Sequence, residues 1–101
     1  MPAPLLTVVT YRARAGCEEE LAGVLRTRVA RLRELGLVAG RPHFAAQVRG
    51  APGRFVASFW WAHEGAPALA DDHSEVQELW RRVEDLCAEG GIETALLDVL
   101  D

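Results

Sequence analysis

The chain has 101 residues, 50% of them hydrophobic and 26% charged, a composition typical of one compact globular domain covering residues 1–101, with no room for a second. No run of about eighteen apolar residues is present, so the sequence predicts no membrane span. The net charge of −4 has the wrong sign for a nucleic-acid-binding protein, which keeps a positive surplus to displace counterions from phosphates.

The first half of the chain predicts a strand, a helix and a hairpin. Residues 5–11 are apolar and rich in β-branched side chains, which predicts a buried strand. From Glu18 to Gly36, leucine and valine recur at helical spacing after three glutamates, so a helix is expected there with Gly36 as its stop. Residues 43–49 and Phe55–Ala62 flank an Ala-Pro-Gly turn, and together they predict a β-hairpin.

The second half predicts two helices and a last strand. Ala66–Asp72 is short and alanine-rich, enough for one or two helical turns. Ser74-Glu-Val-Gln is a capping box, which predicts a helix that begins with Ser74 as its N-cap and ends at the Gly90-Gly91 pair. Ile92–Leu100 has mixed polarity, which suits a strand at a sheet edge or one that exchanges with a partner.

This order, β-α-β-β-α-β, predicts an α+β, ferredoxin-like fold: a four-stranded antiparallel sheet with two helices on one face. On the third strand Phe55, Ala57, Phe59 and Trp61 point one way, and Val56, Ser58 and Trp60 point the other. Apolar bulk on the face without helices would leave a large exposed patch. We therefore expect a homodimer, with the sheet of one copy packed on the sheet of a second.

The stretch from Pro52 to Val83 resembles the antibiotic-biosynthesis-monooxygenase-like family of dimeric α+β barrels. A Pro-Gly-Arg-Phe turn leads into a strand that ends in tryptophan, here Trp61, and a short helix precedes a cap matched in part by Ser74 and Val76. The order of elements matches over nearly the whole chain. The resemblance implies two ferredoxin-like protomers in one barrel, each with an apolar pocket between its sheet and its helices.

The resemblance also implies a range of activities. Members of the family include cofactor-independent oxygenases of polycyclic phenols, haem-degrading oxygenases and proteins of no known activity. The better understood oxygenases use an Asn with a Trp and a His or Arg, but this sequence has no Asn. The first-strand Asn of the haem degraders matches Val9, and their helix His falls near Trp80 or Arg81. The usual Glu and His of the family match Phe59 and Ala70. Haem degradation is therefore not expected, and no cofactor is predicted.

Arg28 is the first candidate site residue. A helical rotation of about 100° per residue places it in line with Leu21 and Leu35 on the apolar stripe, so it points at the sheet. A guanidinium stays charged and needs an anion or several hydrogen-bond acceptors. In one interpretation Arg28 holds a carboxylate, phenolate or enolate of a ligand. In the other it pairs with an acid of the last strand or second helix, or extends past the helix end.

Five further side chains are candidates near a pocket between sheet and helices. Trp61, Trp80 and Phe44 could shape a cavity for an aromatic ligand, although large rings also fill ordinary cores. His43 opens the second strand and His73 precedes the second long helix, so either could act as a base toward a phenol or an acidic C–H. A histidine at the end of an element is also commonly solvated or capping. No pair of histidines has metal-ligand spacing, and no metal site is predicted.

The two cysteines, Cys17 and Cys87, form no CxxC motif, which favours two free thiols in a reducing compartment. Cys87 falls on the apolar face of the predicted second long helix, as a small hydrophobe would. The Met-Pro-Ala-Pro start lacks the basic residues and the long apolar run of a secretory signal. A cytoplasmic protein that binds neither membrane nor nucleic acid is expected.

Three functions remain open at this point. The first is binding of a small aromatic or polyketide-like molecule, with oxidation by O₂ and no cofactor; Arg28 would be the anion clamp and His73 or His43 the base. The second is a non-catalytic ligand-binding or structural dimer of the same fold. The third is a small isomerase or cyclase, which needs one base and no oxygen.

Overall fold

The computed structural model describes residues 4–100. In this range the elements are β1 (Leu5–Ala13), α1 (Glu18–Glu34), β2 (Phe44–Gln47), β3 (Arg54–Trp61), α2 (Ala66–Asp71), α3 (Ser74–Leu86) and β4 (Cys87–Leu97). Over the same residues the strands form a four-stranded antiparallel sheet in the order β2-β3-β1-β4. The predicted ferredoxin-like α+β fold is confirmed, with the short α2 as an addition to the two long helices.

The inner face of the sheet, which packs against the helices, is set by the alternation of side chains along each strand. Thr7 pairs with Phe59 and Tyr11 with Phe55 across the β1–β3 register, and all four side chains are buried. Along β3 buried residues alternate with half-buried ones up to Trp61, which is buried on the inner face. The predicted division of β3 into two faces is therefore confirmed.

Helix α1 follows its predicted course. Three glutamates occupy its first turn, where the positive end of the helix dipole favours negative charge. Leu21, Leu25 and Leu32 are buried along one side, which fixes the rotation of the helix on the sheet. The helix ends at Glu34, and Gly36, its predicted stop, adopts a left-handed φ of 78°, a conformation that terminates helices.

The predicted cap of α3 was wrong. The N-cap is His73, whose Nδ1 accepts a hydrogen bond from the backbone N–H of Glu75 at 3.2 Å. Ser74 is instead the first residue of the helix. The imidazole of His73, one position earlier, already accepts a hydrogen bond from one of the unpaired N–H groups of the first turn, that of Glu75. The hydroxyl of Ser74 is therefore not needed as the cap.

The predicted end of α3 was also wrong. The helix stops at Leu86, and β4 begins at Cys87 rather than at Ile92. The end of β1 competes for the backbone groups in this region: the N–H of Arg14 donates to the carbonyl of Leu86 at 2.8 Å, and Cys87 pairs with Ala13. Strand pairing thus replaces the last helical turn, and Cys87 is buried at the start of a strand rather than on a helix.

The buried core separates into two clusters. The first cluster consists of Val9, Tyr11, Leu21, Leu25, Phe55, Ala57, Val83, Leu86 and Cys87. The second cluster consists of Val29, Leu32, Leu37, Val38, Phe59, Trp61, Ala66, Ala70 and Val76, with Trp80 packed against it. Both clusters contain large inward-facing rings. Side chains of the two clusters do not fill all of the space between them.

The outer face of the sheet carries no helix. Leu6, Val8 and Trp60 lie on it half-buried, and Phe44, which pairs with Ser58 on the same face, is 51% exposed. Strand β2 is exposed along its whole length. Within the described part of the chain, no helix has both the length and the apolar character needed to cross a membrane.

Candidate functional site

A cavity of about 360 Å³ lies between the inner face of the sheet and helices α1, α2 and α3. Its walls include the rings of Tyr11, Phe59, Trp61 and Trp80, taken from both core clusters. Its β4 side is formed by residues of the edge strand, among them Thr94, which is exposed. The volume falls in the range of about 300–1,000 Å³ that small-molecule pockets occupy.

Arg28 is the charged residue buried in this cavity wall. The rotation of α1 that buries its leucines also turns Arg28 inward, and the side chain is only 3% exposed. Its guanidinium carbon lies 5.2 Å from the ring centroid of Tyr11 and 5.6 Å from those of Phe59 and Trp80. Three rings therefore surround the charge, bridging the two clusters by cation–π contacts.

No acceptor among residues 4–100 pairs with two of the guanidinium nitrogens, Nε and Nη2, and both are buried. The ion pairs found within these residues join Arg31 to Glu34 and Glu75 and Arg82 to Glu20, and none reaches Arg28. Within the described residues Arg28 therefore does not form the ion pair with the last strand or the second long helix that was one of the two expectations. The cation lies within the cavity wall, and its Nε and Nη2 have donor capacity to spare.

Tyr11 is a second polar group in the same wall, and no pattern in the sequence indicated its position there. The residue is 3% exposed on the inner face of β1, and its phenol oxygen is buried without a hydrogen-bond partner among the described residues. Burial raises the pKa of Tyr11 above its ordinary value of 10.0, while the adjacent Arg28 guanidinium opposes that rise by its positive charge and as a nearby N–H donor whose geometry falls short of a full hydrogen bond. The phenol accordingly stays protonated near neutral pH and can donate a hydrogen bond into the cavity.

Two carboxylates lie where the cavity opens to solvent. Asp71 at the end of α2 and Glu84 on α3 both line it and are exposed. The cavity therefore has a positive interior and a negative entrance. Thr7 also lines it, but its hydroxyl already donates to the carbonyl of Ala95 at 3.0 Å.

The structure brings three of the six predicted site residues together. Arg28, Trp61 and Trp80 all line the cavity. His73 is half-buried as the cap of α3 and does not line it, and His43 is exposed and also lies outside the lining. Phe44 lies on the outer face of the sheet, away from the cavity.

Apart from Arg81, the positions that the resemblance matches to polar family residues carry apolar or aromatic side chains. Val9, Phe59 and Trp80 line the cavity, Ala70 is fully buried in the second cluster, and Arg81 is exposed. Among the buried residues of the lining, Tyr11 and Arg28 instead supply the polar groups that lack hydrogen bonds within the described part of the chain.

Comparison with solved structures finds several chains of the same fold. SnoaB, a cofactor-independent oxygenase from Streptomyces nogalater, aligns with a TM-score of 0.80 at 15% identity, covering 97% of this chain and 94% of its own. PA3566 from Pseudomonas aeruginosa aligns with a TM-score of 0.80 at 23% identity, covering 100% and 98%. A protein described as an antibiotic biosynthesis monooxygenase aligns with a TM-score of 0.78 at 14% identity, covering 96% and 99%.

No family model matches the sequence, and no curated protein matches it either. The likeness is therefore one of fold, and over nearly the full length of each chain it is the fold of antibiotic-biosynthesis-monooxygenase-like proteins, as the resemblance implied.

Proposed function

We propose that this chain is an antibiotic-biosynthesis-monooxygenase-like protein that binds a small aromatic or polyketide-like molecule in the cavity between its sheet and its helices. The observation that carries the proposal is the cavity itself, about 360 Å³ between two separate core clusters. Small-molecule sites are typically clefts of this size with mostly apolar walls and a few polar groups. A purely structural dimer of this fold would have no need of a ring-lined cleft with a buried charge in its wall.

The ring-lined walls indicate an aromatic ligand. Flat side chains such as Trp61 and Trp80 offer the stacked and edge-on contacts that planar molecules favour. Arg28 supplies a buried positive charge that would stabilise negative charge on the bound molecule, which is the electrostatic requirement of oxygenation by O₂ without a cofactor. SnoaB, which shares the fold, is a cofactor-independent oxygenase.

The geometry supports binding more directly than proton abstraction by histidine. His73 and His43 remain the proposed bases for an oxygenase or an isomerase, but neither belongs to the cavity lining. The imidazole of His73 already uses Nδ1 in the cap of α3. A non-catalytic binding protein of the same fold is therefore the second candidate.

Calorimetric titration with 1-naphthoate tests the binding. We expect saturable binding to the wild-type protein and its loss in Thr94→Trp, since Thr94 lines the cavity from the edge strand and an indole there would fill it. Ala30→Trp is the matched control, because Ala30 is exposed on α1 and outside the lining. Equal binding to the two variants would place the ligand elsewhere and refute the proposal.

Oxygen uptake separates the two candidate functions. With 1,8-dihydroxyanthrone as a polycyclic phenol, an oxygenase should consume O₂ faster than the uncatalysed background, and Thr94→Trp should remove the excess rate. Binding of the phenol with no excess uptake would favour the non-catalytic candidate.

We also propose that two copies pack through the outer face of the sheet. Leu6, Val8 and Trp60 lie half-buried there, and Phe44 is largely exposed. Covering such side chains stabilises by roughly 1.5–3 kcal/mol each. Light scattering at micromolar concentration should give a dimer, and Trp60→Glu should shift it to a monomer. A monomeric wild-type protein would contradict this assembly.

A further inference from the structure

Three buried polar atoms without partners meet in one wall of the cavity. They are the phenol oxygen of Tyr11 and the Nε and Nη2 atoms of Arg28, each lacking a hydrogen-bond partner within residues 4–100. Both side chains are 3% exposed, and both line the cavity. They come from different elements, β1 and α1, so the sheet–helix packing itself brings them together.

Native proteins pair nearly all of their buried polar groups, and the exceptions call for a physical explanation. Burying one hydroxyl without a partner lowers the free energy of unfolding only slightly, whereas burying a guanidinium without an acceptor lowers it much more. The ring faces around Arg28 return part of that cost, but they leave its N–H groups without acceptors. The missing partner is an oxygen that bears negative charge.

The hydrogen-bonding capacity of the two groups defines that partner further. The Nε–H and Nη2–H groups of arginine are donors only, in a planar fork that fits an oxyanion. Tyr11 adds an O–H donor, and the raised pKa of the phenol keeps its proton in place. The guanidinium carbon lies 5.2 Å from the Tyr11 ring centroid, so the two groups of donors belong to the same part of the cavity wall.

We propose that Tyr11 and Arg28 form an oxyanion site, and that the natural ligand is a planar aromatic monoanion, either a carboxylate or an ionised phenol or enol. This inference rests on the proposed binding function and names its ligand class. The cavity lining offers one cation, Arg28, to balance one negative charge, and the exposed carboxylates of Asp71 and Glu84 disfavour a second, so the site favours a monoanion over a dianion.

Three naphthalene probes of similar size test this assignment by calorimetry. They are 1-naphthoate, a carboxylate; ionised 2-hydroxy-1,4-naphthoquinone, an enolate; and 1-naphthamide, which is neutral. Wild-type protein should bind at least one of the anions about tenfold more tightly than the amide, the factor that a single charge-assisted hydrogen bond of about 1.4 kcal/mol provides. Whichever of the two anions binds more tightly then shows whether the charged oxygen of the ligand belongs to a carboxylate or to an ionised enol.

Variants of the two residues test their separate roles. Tyr11→Phe keeps the ring and should weaken the preferred anion about threefold, which is part of its tenfold advantage, and should weaken the amide by less. Arg28→Met should remove the preference for anions, and Arg28→Lys, which keeps the charge without the fork, should retain part of it. Arg26→Met is the matched control, because Arg26 is exposed on the same helix.

The outcomes are distinct for the two proposals. If the amide binds as tightly as both anions, and Tyr11→Phe changes neither, the oxyanion site is refuted while the aromatic cavity stands. If none of the three probes binds in a way that Thr94→Trp abolishes, the proposed binding function fails, and the oxyanion site fails with it.

Discussion

Replacing Arg28 by methionine should stabilise the ligand-free protein. The substitution keeps an unbranched side chain of similar length in the cavity wall and removes the buried charge. In the described residues that charge has no ion pair, and Nε and Nη2 have no acceptor. The free energy of unfolding therefore includes an uncompensated desolvation term for Arg28 that methionine does not carry.

The magnitude follows from the surroundings of the guanidinium. The effective penalty for a buried, unpaired ion is several kcal/mol, on the order of 4–5. Cation–π contacts offset about 0.5–1 kcal/mol of this penalty for each of three rings. The rings are those of Tyr11, Phe59 and Trp80, whose centroids lie 5.2–5.6 Å from the guanidinium carbon. Methionine loses these contacts but gains weaker sulfur–aromatic ones of about 0.3–1.5 kcal/mol. Even the least favourable combination of these ranges leaves a net gain, so we expect Arg28→Met to stabilise by at least about 1 kcal/mol.

Urea unfolding followed by tryptophan fluorescence measures this difference, and a thermal scan should show a Tm higher by roughly 5–10 °C. Arg26→Met, on the exposed side of the same helix, should leave the free energy of unfolding within about 0.5 kcal/mol of wild type. A loss of 1 kcal/mol or more in Arg28→Met would mean that the guanidinium has an internal partner in solution. The oxyanion site would then have no physical basis.

Three further predictions concern titration, thiol chemistry and helix capping. Tyr11 is the single tyrosine, so absorbance at the phenolate band reports it alone; its pKa should lie above 10.0, and Arg28→Met should raise it further by removing the opposing cation. Because the unfolded chain then loses this proton first, stability should fall as the pH rises above about 10, and an unchanged slope in Tyr11→Phe would contradict that origin. With Ellman's reagent, Cys17, which is half-buried, should react before Cys87, whose pKa is raised by burial; loss of the fast phase in Cys17→Ser checks the assignment. His73→Ala should cost about 1 kcal/mol as a lost N-cap and His73→Asn much less, whereas a large change in naphthoate affinity in the alanine variant would instead support a role for this histidine in the cavity.

The periodicity of apolar residues determined which side of each element faces inward. The helical spacing of leucines on α1 turns Arg28 toward the sheet, and the alternation along β3 separates Phe59 and Trp61 from Trp60. These are local properties: a helix repeats every 3.6 residues and a strand every two, so one element determines its own faces. The order of elements was sufficient for the fold class because few topologies accommodate it.

Tertiary packing decided where α3 ends and which polar groups meet. Strand β1 captures Cys87 because its backbone groups, which are distant in the sequence, compete with the local stop signal of the glycine pair. The pairing of Tyr11 with Arg28 depends on the register of two strands and the position of a helix above them. Neither can be obtained from the pattern of one segment, since each is fixed by the simultaneous packing of several.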